Sequence, residues 1–250
     1  MKVAASTVAG VEIYGPDTAE FEAGIAKVLG GVRRELLKAA LPYSVIVANN
    51  AARIISFLGV RFDMLSRNGK PASVVHYADS LRNPEKGDFR PGTKRFICAE
   101  PEYTTLVLRG DVAPRTRGPM NLDNLRRMLN MRASLDCVAF EDGEFAGPDS
   151  QGAFERLARE REMELAFAAQ MAALATDGSN GFEKFLCEAV ENPEDRTRGM
   201  ISRKLLEALR TGGAPEAAER ARAWRCRIPL WRCVSEGAFR QQAGEKVVEL

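Results

Sequence analysis

The sequence predicts a segregated α+β fold: an N-terminal helical arm over residues 1–40, an antiparallel β-sandwich over 41–149 and an α-helical region over 150–250. Three observations lead there. The apolar spacing changes from helical to period two at Pro42, turn-forming residues then separate several short β-branched and aromatic runs, and the spacing returns to helical beyond Gly147-Pro148. No long helix is interleaved with the strands, which argues against a βαβ sheet.

The first helix follows Tyr14-Gly15-Pro16, where Asp17 or Thr18 can cap and Glu20 falls in the first turn. Phe21, Ile25, Val28 and Leu29, then Val32, Leu36 and Leu37, form its apolar face, and Gly30-Gly31 predicts a break or bend between the two groups. Tyr43–Ala48 reads as a strand, Asn49-Asn50 as a turn, and Arg53–Leu65 as a second strand bent at Gly59. Val60, Phe62 and Met64 alternate with Arg61, Asp63 and Leu65, as in a sheet with one buried face. Asn68-Gly69 turns the chain into Ser73–Tyr77, and further strands are expected at Thr93–Cys98 and Tyr103–Leu108. Residues 110–121 read as loop, followed by a short helix with Leu122, Leu125 and Leu129 on one face. Ser134–Phe140 and Glu144-Phe145 flank Asp142-Gly143, a type I′ turn pair.

Beyond Pro148, Asp149 or Ser150 caps a helix reaching about Ala175, with Phe154, Leu157, Leu165, Ala168 and Ala172 on one side. Asp177–Gly181 is an inter-helix loop, Phe182, Phe185, Leu186 and Val190 mark a second helix, and Asn192-Pro193 opens a third that stops at Gly212-Gly213. Pro215 opens a fourth, which cannot continue through Pro229.

Composition narrows the chemistry. With 45% hydrophobic and 28% charged residues the chain is globular, and its longest apolar runs, such as Leu41–Ala48, fall far short of the roughly 18 to 20 residues a membrane-spanning helix needs. Met1–Thr7 carries one basic residue and no apolar core behind it, so no secretory signal is read and the cytoplasm is the default compartment. A net charge of +2 creates no global field toward nucleic acid or acidic membranes. A single histidine removes most metal sites and most histidine acid–base machinery. The cysteines at 98, 137, 187, 226 and 233 are odd in number and include no C-x-x-C, so they are expected to be reduced, without a disulfide framework or a zinc motif.

Leu41–Asn50 (LPYSVIVANN) followed by Ile54–Phe62 resembles the opening strands of Ig-like or fibronectin-like sandwiches. Together with Leu135–Asp149 (LDCVAFEDGEFAGPD) and the helix after it, the run resembles a group of uncharacterised proteins from environmental bacteria. The resemblance covers residues 41–175. It implies an Ig-like sandwich followed by helices, implies no mechanism, and makes export the alternative to the cytoplasm, because such relatives open with an export signal.

Glu141, Asp142, Glu144 and Asp149 form the densest acidic cluster, and a carboxylate-dependent hydrolase or a calcium site would use such groups. The loop lacks the calcium-binding pattern and reads more simply as a solvated hairpin. His76, between Val75 and Tyr77 with Asp79 nearby, would be a general base in a catalytic reading; alternation makes it a half-exposed strand residue, and no glycine-flanked serine is available to it. Gly30-Gly31 precedes Val32-Arg33-Arg34 and makes no phosphate cradle. No catalytic, cofactor-binding or metal-binding residue is therefore expected, and no cofactor.

The feature left over is the tripeptide Trp-Arg-Cys, which occurs at Trp224 and again at Trp231 within a basic stretch. Trp224, Arg225, Arg227, Trp231 and Arg232 can dock the tail onto the protein's own helices, or form a partner surface. The sequence thus points to a non-enzymatic scaffold or protein-interaction protein. The hydrolase and a weak nucleic-acid binder through residues 220–232 are the alternatives.

Overall fold

The computed structural model describes residues 1–79, 89–100, 103–104, 122–176, 180–191, 196–225 and 232–233; for 30–36, 175–176, 180, 196–197, 200, 224–225 and 232–233 it describes the backbone only. In chain order the strands are β1 (Lys2–Val3), β2 (Val11–Tyr14), β3 (Ser44–Asn49), β4 (Ile55–Ser66), β5 (Pro71–Asp79), β6 (Lys94–Cys98), β7 (Met128–Phe140), β8 (Glu144–Ala146) and β9 (Arg232–Cys233). The helices are α1 (Ala19–Leu37), α2 (Leu122–Arg126), α3 (Ala153–Thr176), α4 (Asn180–Glu191) and α5 (Arg196–Arg225). This is an α+β protein with two compact units, one built on Met1–Ala153 and joined by β9, the other within Phe154–Trp231.

In the first unit, β2-β3-β6 form an antiparallel sheet, and the second sheet runs β5-β4-β7-β8-β9 with β1 added to β7. One core serves both sheets and α1, drawing on Val45, Val47 and Phe96, on Leu58, Phe62 and Phe140, and on Phe21, Ile25 and Leu29. The helix starts where Thr18 Oγ1 accepts the Phe21 N–H at 3.2 Å, and its backbone stays helical through Gly30-Gly31, where a break or bend was expected. Ahead of it, Val11 and Ile13 are buried and Glu12 is exposed, so the N-terminal forty residues contribute strands as well as a helix.

The larger sheet is mixed, which corrects the purely antiparallel expectation. Lys2 and Val3 run parallel to Arg132 and Ala133, and β9 runs parallel to β8. Tight hairpins force antiparallel neighbours, whereas these two short strands reach the sheet from distant parts of the chain and are free of that constraint. Three local expectations also change. Tyr103 and Thr104 are helical, not extended, and the Thr104 hydroxyl accepts the Cys98 N–H at the end of β6 at 2.8 Å; residues 105–108 lie outside the described residues. Leu129 belongs to β7, not to the helix before it, and sits 59% exposed where the register slips between Leu65–Asn130 and Ser66–Met128. In the β7–β8 turn only Gly143 has positive φ (91°), and Gly143 N–H donates to Phe140 C=O, so the loop has three residues and is not a type I′ pair.

In the second unit Phe167, Ala168 and Met171 of α3 pack with Phe182 and Leu186 of α4 and with Ile201, Leu205 and Ala217 of α5. At Gly213 (φ 75°, ψ −172°), before Pro215, α5 leaves helical geometry, where the sequence ends one helix and begins another. The stretch around Asn192-Pro193 and residues 177–179 lie outside the described residues, while Asn180 and Gly181, expected in the inter-helix loop, open α4. Among the described residues no helix is long and apolar enough to cross a membrane.

Candidate functional site

Strand β7 switches the parity of its core-facing residues. Ala133 and Leu135 enter the core on odd positions, Val138 and Phe140 on even ones. The cause is a β-bulge: Val60 pairs with Leu135 and Gly59 with Cys137, so Asp136 has no residue opposite it. Asp136 and Cys137, consecutive in sequence, are both turned away from the core that Leu135 and Val138 enter. Gly59 provides the room, since a Cβ there would stand 2.6 Å from the Cys137 Sγ.

The chain leaving β8 closes over this bulge. Gly147 has a φ of 120°, and a Cβ on it would lie 2.5 Å from the Asp136 carbonyl oxygen. Asp149 N–H donates to that carbonyl at 2.9 Å, and Ser150 N–H donates to Asp136 Oδ1 at 3.1 Å. Asp149 itself sits at φ 49° and takes the Ala153 N–H on Oδ1 at 2.6 Å, which caps α3 as the sequence suggests. A carboxylate oxygen of Asp136, one of Asp149 and the Cys137 Sγ thereby lie within 4.8 Å of one another. Asp136 is 1% exposed and Cys137 0%, Asp149 is half-buried, and among the described residues Asp136 Oδ2 has no hydrogen-bond partner.

The acidic cluster read from the sequence is divided by the fold. Asp149 joins the bulge, while Asp142 and Glu144 stay at the hairpin tip and share Arg53, which donates to Asp142 Oδ2 at 3.1 Å and to Glu144 Oε1 at 3.2 Å. The guanidinium lies 3.7 Å from the centre of the Phe140 ring. The Glu144 bond raises the Arg53 pKa against the opposing effect of burial. Burial pushes the Asp142 carboxyl up, but the Glu144 amide and the Arg53 guanidinium outweigh it and hold the group below its ordinary value. Glu141 is exposed. Sequence reasoning missed Asp136 and Cys137; the signal for them was the phase change, since Leu135, Val138 and Phe140 cannot share one face of a regular strand.

His76 is buried rather than half-exposed. It pairs with core-facing Val60 and meets Phe62 edge-on at 5.5 Å between ring centres, and among the described residues its Nε2 has no partner. Burial lowers its pKa, against a backbone hydrogen bond at Ala99. In the helical unit a groove of about 560 Å³ runs between α4 and α5, lined by Val190 and Leu206 with Glu191, Glu207, Arg203 and Arg210, so charges of both signs flank an apolar floor. In the basic stretch Arg220 pairs with Glu216 at 2.6 Å. Trp224 and Arg225 end α5 and Arg232 opens β9, but their side chains, and Arg227 and Trp231 altogether, lie outside the described residues.

Compared with known proteins, the chain matches no family model, no curated protein and no solved structure.

Proposed function

We propose that the protein is a non-enzymatic scaffold, its two sheets forming an Ig-like sandwich, that associates with a second copy of itself by adding a strand to a sheet edge. The observation behind this reading is the pairing of β8 with β9, in which Glu144 stands opposite Arg232 and Phe145 opposite Cys233. A strand at the end of a sheet presents amides and carbonyls that an extended segment can satisfy. Here the segment comes from far along the same chain, beyond residues 154–231. A second copy carries the same segment, and exchanging identical elements re-forms identical contacts at little cost. Trp224, Arg225, Arg227 and Trp231 precede the exchanged strand in sequence and Arg232 opens it, so the tail supplies the recognition surface in this reading. The pairing of Asp142 and Glu144 with Arg53 weighs against the hydrolase alternative, because both carboxylates are engaged at the turn.

Light scattering on the full chain across a concentration series tests it. A dimer should grow in with concentration and disappear when residues 232–250 are removed. A chain that stays monomeric throughout, or a dimer that survives the truncation, contradicts the proposal.

A further inference from the structure

We propose that Asp136, Cys137 and Asp149 form a binding site for a divalent metal ion of the zinc class, built by the β7 bulge and the turn that closes over it. The three donor atoms already lie within 4.8 Å of one another. Zinc–sulfur and zinc–oxygen bonds of about 2.3 Å and 2.0–2.2 Å hold tetrahedral ligands roughly 3.5 Å apart, so small side-chain rotations bring the set to bonding distance. The independent sign of a ligand is Asp136: it is 1% exposed, and Oδ2 has no hydrogen-bond partner among the described residues. A buried carboxylate with an unsatisfied oxygen is costly by itself, and a cation removes that cost.

The donor set selects the ion. A thiolate with two carboxylates suits a borderline metal, whereas magnesium and calcium take oxygen shells of six or more ligands. Both carboxylates are oriented from behind by backbone amides, Asp136 by Ser150 N–H and Asp149 by Ala153 N–H, the kind of outer support that ligating carboxylates have. Three protein donors leave the fourth position to water, on the side of half-buried Asp149. This site contains neither a C-x-x-C nor a histidine, and so escapes a motif search. Binding requires the Cys137 thiol to give up its proton to the buffer, so metal uptake is accompanied by proton release.

The test is titration of the full-length, chelator-treated protein with Co²⁺, followed by Zn²⁺ displacement. One Co²⁺ per chain should bind with a thiolate-to-cobalt absorption in the near ultraviolet, and Cys137→Ser should abolish that absorption. Asp149→Asn, at a half-buried position outside the strands, should weaken binding about tenfold or more with unchanged circular dichroism. Asp136→Asn should weaken it as much while leaving the metal-free melting temperature unchanged or higher, because Asn still accepts from Ser150 and the unpaired charge is gone. The proposal is overturned if no saturable binding occurs below millimolar metal, if Cys137→Ser leaves the absorption intact, or if Asp136→Asn lowers the metal-free melting temperature while the wild type ignores the metal, which is the behaviour of a purely structural carboxylate.

Discussion

At the tip of the β7–β8 hairpin, the Asp142 and Glu144 side chains are 49% and 32% exposed and share an Arg53 that is itself 36% exposed. Within β7, Asp136 is 1% exposed and takes one amide on Oδ1, and its Oδ2 has no partner among the described residues. Both places gather acidic side chains, but in opposite physical surroundings. Water solvates the tip whatever its partners do, so the ion pairs there contribute little. Around Asp136 every contact must come from the protein or from a bound ligand, and the backbone is shaped to fit: a bulge beneath, and a glycine at positive φ above. The acidic cluster that stands out in the sequence is therefore the less informative of the two.

The largest effect expected from this contrast is at Gly147. Gly147→Ala combines a φ of 120° with a Cβ 2.5 Å from the Asp136 carbonyl oxygen and should cost about 3 kcal/mol or more in denaturant unfolding. Gly152→Ala, in the same connection at φ 62° with open space around its Cβ, should cost only about 1–2 kcal/mol. Equal losses at both glycines would mean that the turn does not press on the bulge.

His76 extends the comparison to a buried base. Its folded-state pKa is lowered, so the fold favours neutral imidazole. Its contribution to stability is complete above the unfolded value of about 6.5 and is lost as pH falls from there through the lower folded value. Urea midpoints should drop over that window in the wild type and stay flatter in His76→Gln. The smallest effects belong to the tip: Asp142→Asn and Glu144→Gln should each change stability by less than about 1 kcal/mol, and less again in high salt. Because the Asp142 pKa is lowered, its small contribution is present above the unfolded value of about 3.9 and disappears as pH falls through the folded value.

Legibility in the sequence follows how local each cause is. The strand Ser44–Asn49 announces itself through the β-branched run Val45-Ile46-Val47, Thr18 as a cap, and Gly213 before Pro215 as a break, because each depends on residues within a turn of chain. The two-residue strands β1 and β9 carry no period and exist only through distant partners. Tyr103 and Thr104 open a run rich in β-formers yet are helical, and the Thr104 hydroxyl bonds back to Cys98, a contact the local pattern does not announce. The bulge site lies between these cases: its phase slip is visible in the spacing of Leu135, Val138 and Phe140, but the return of Asp149 and Ser150 to Asp136 depends on the turn that follows β8.

The central claim, that charge at the bulge awaits a cation while charge at the tip does not, can be read from three amide resonances of the ¹⁵N-labelled full-length protein during a Zn²⁺ titration. Ser150 N–H bonds to Asp136, Ala153 N–H to Asp149 and Glu144 N–H to Asp142, so each reports on one carboxylate. The account predicts that Ser150 and Ala153 shift together and saturate at one equivalent, with Glu144 unmoved. A shift at Glu144 alone, or none at Ser150 and Ala153, would contradict it.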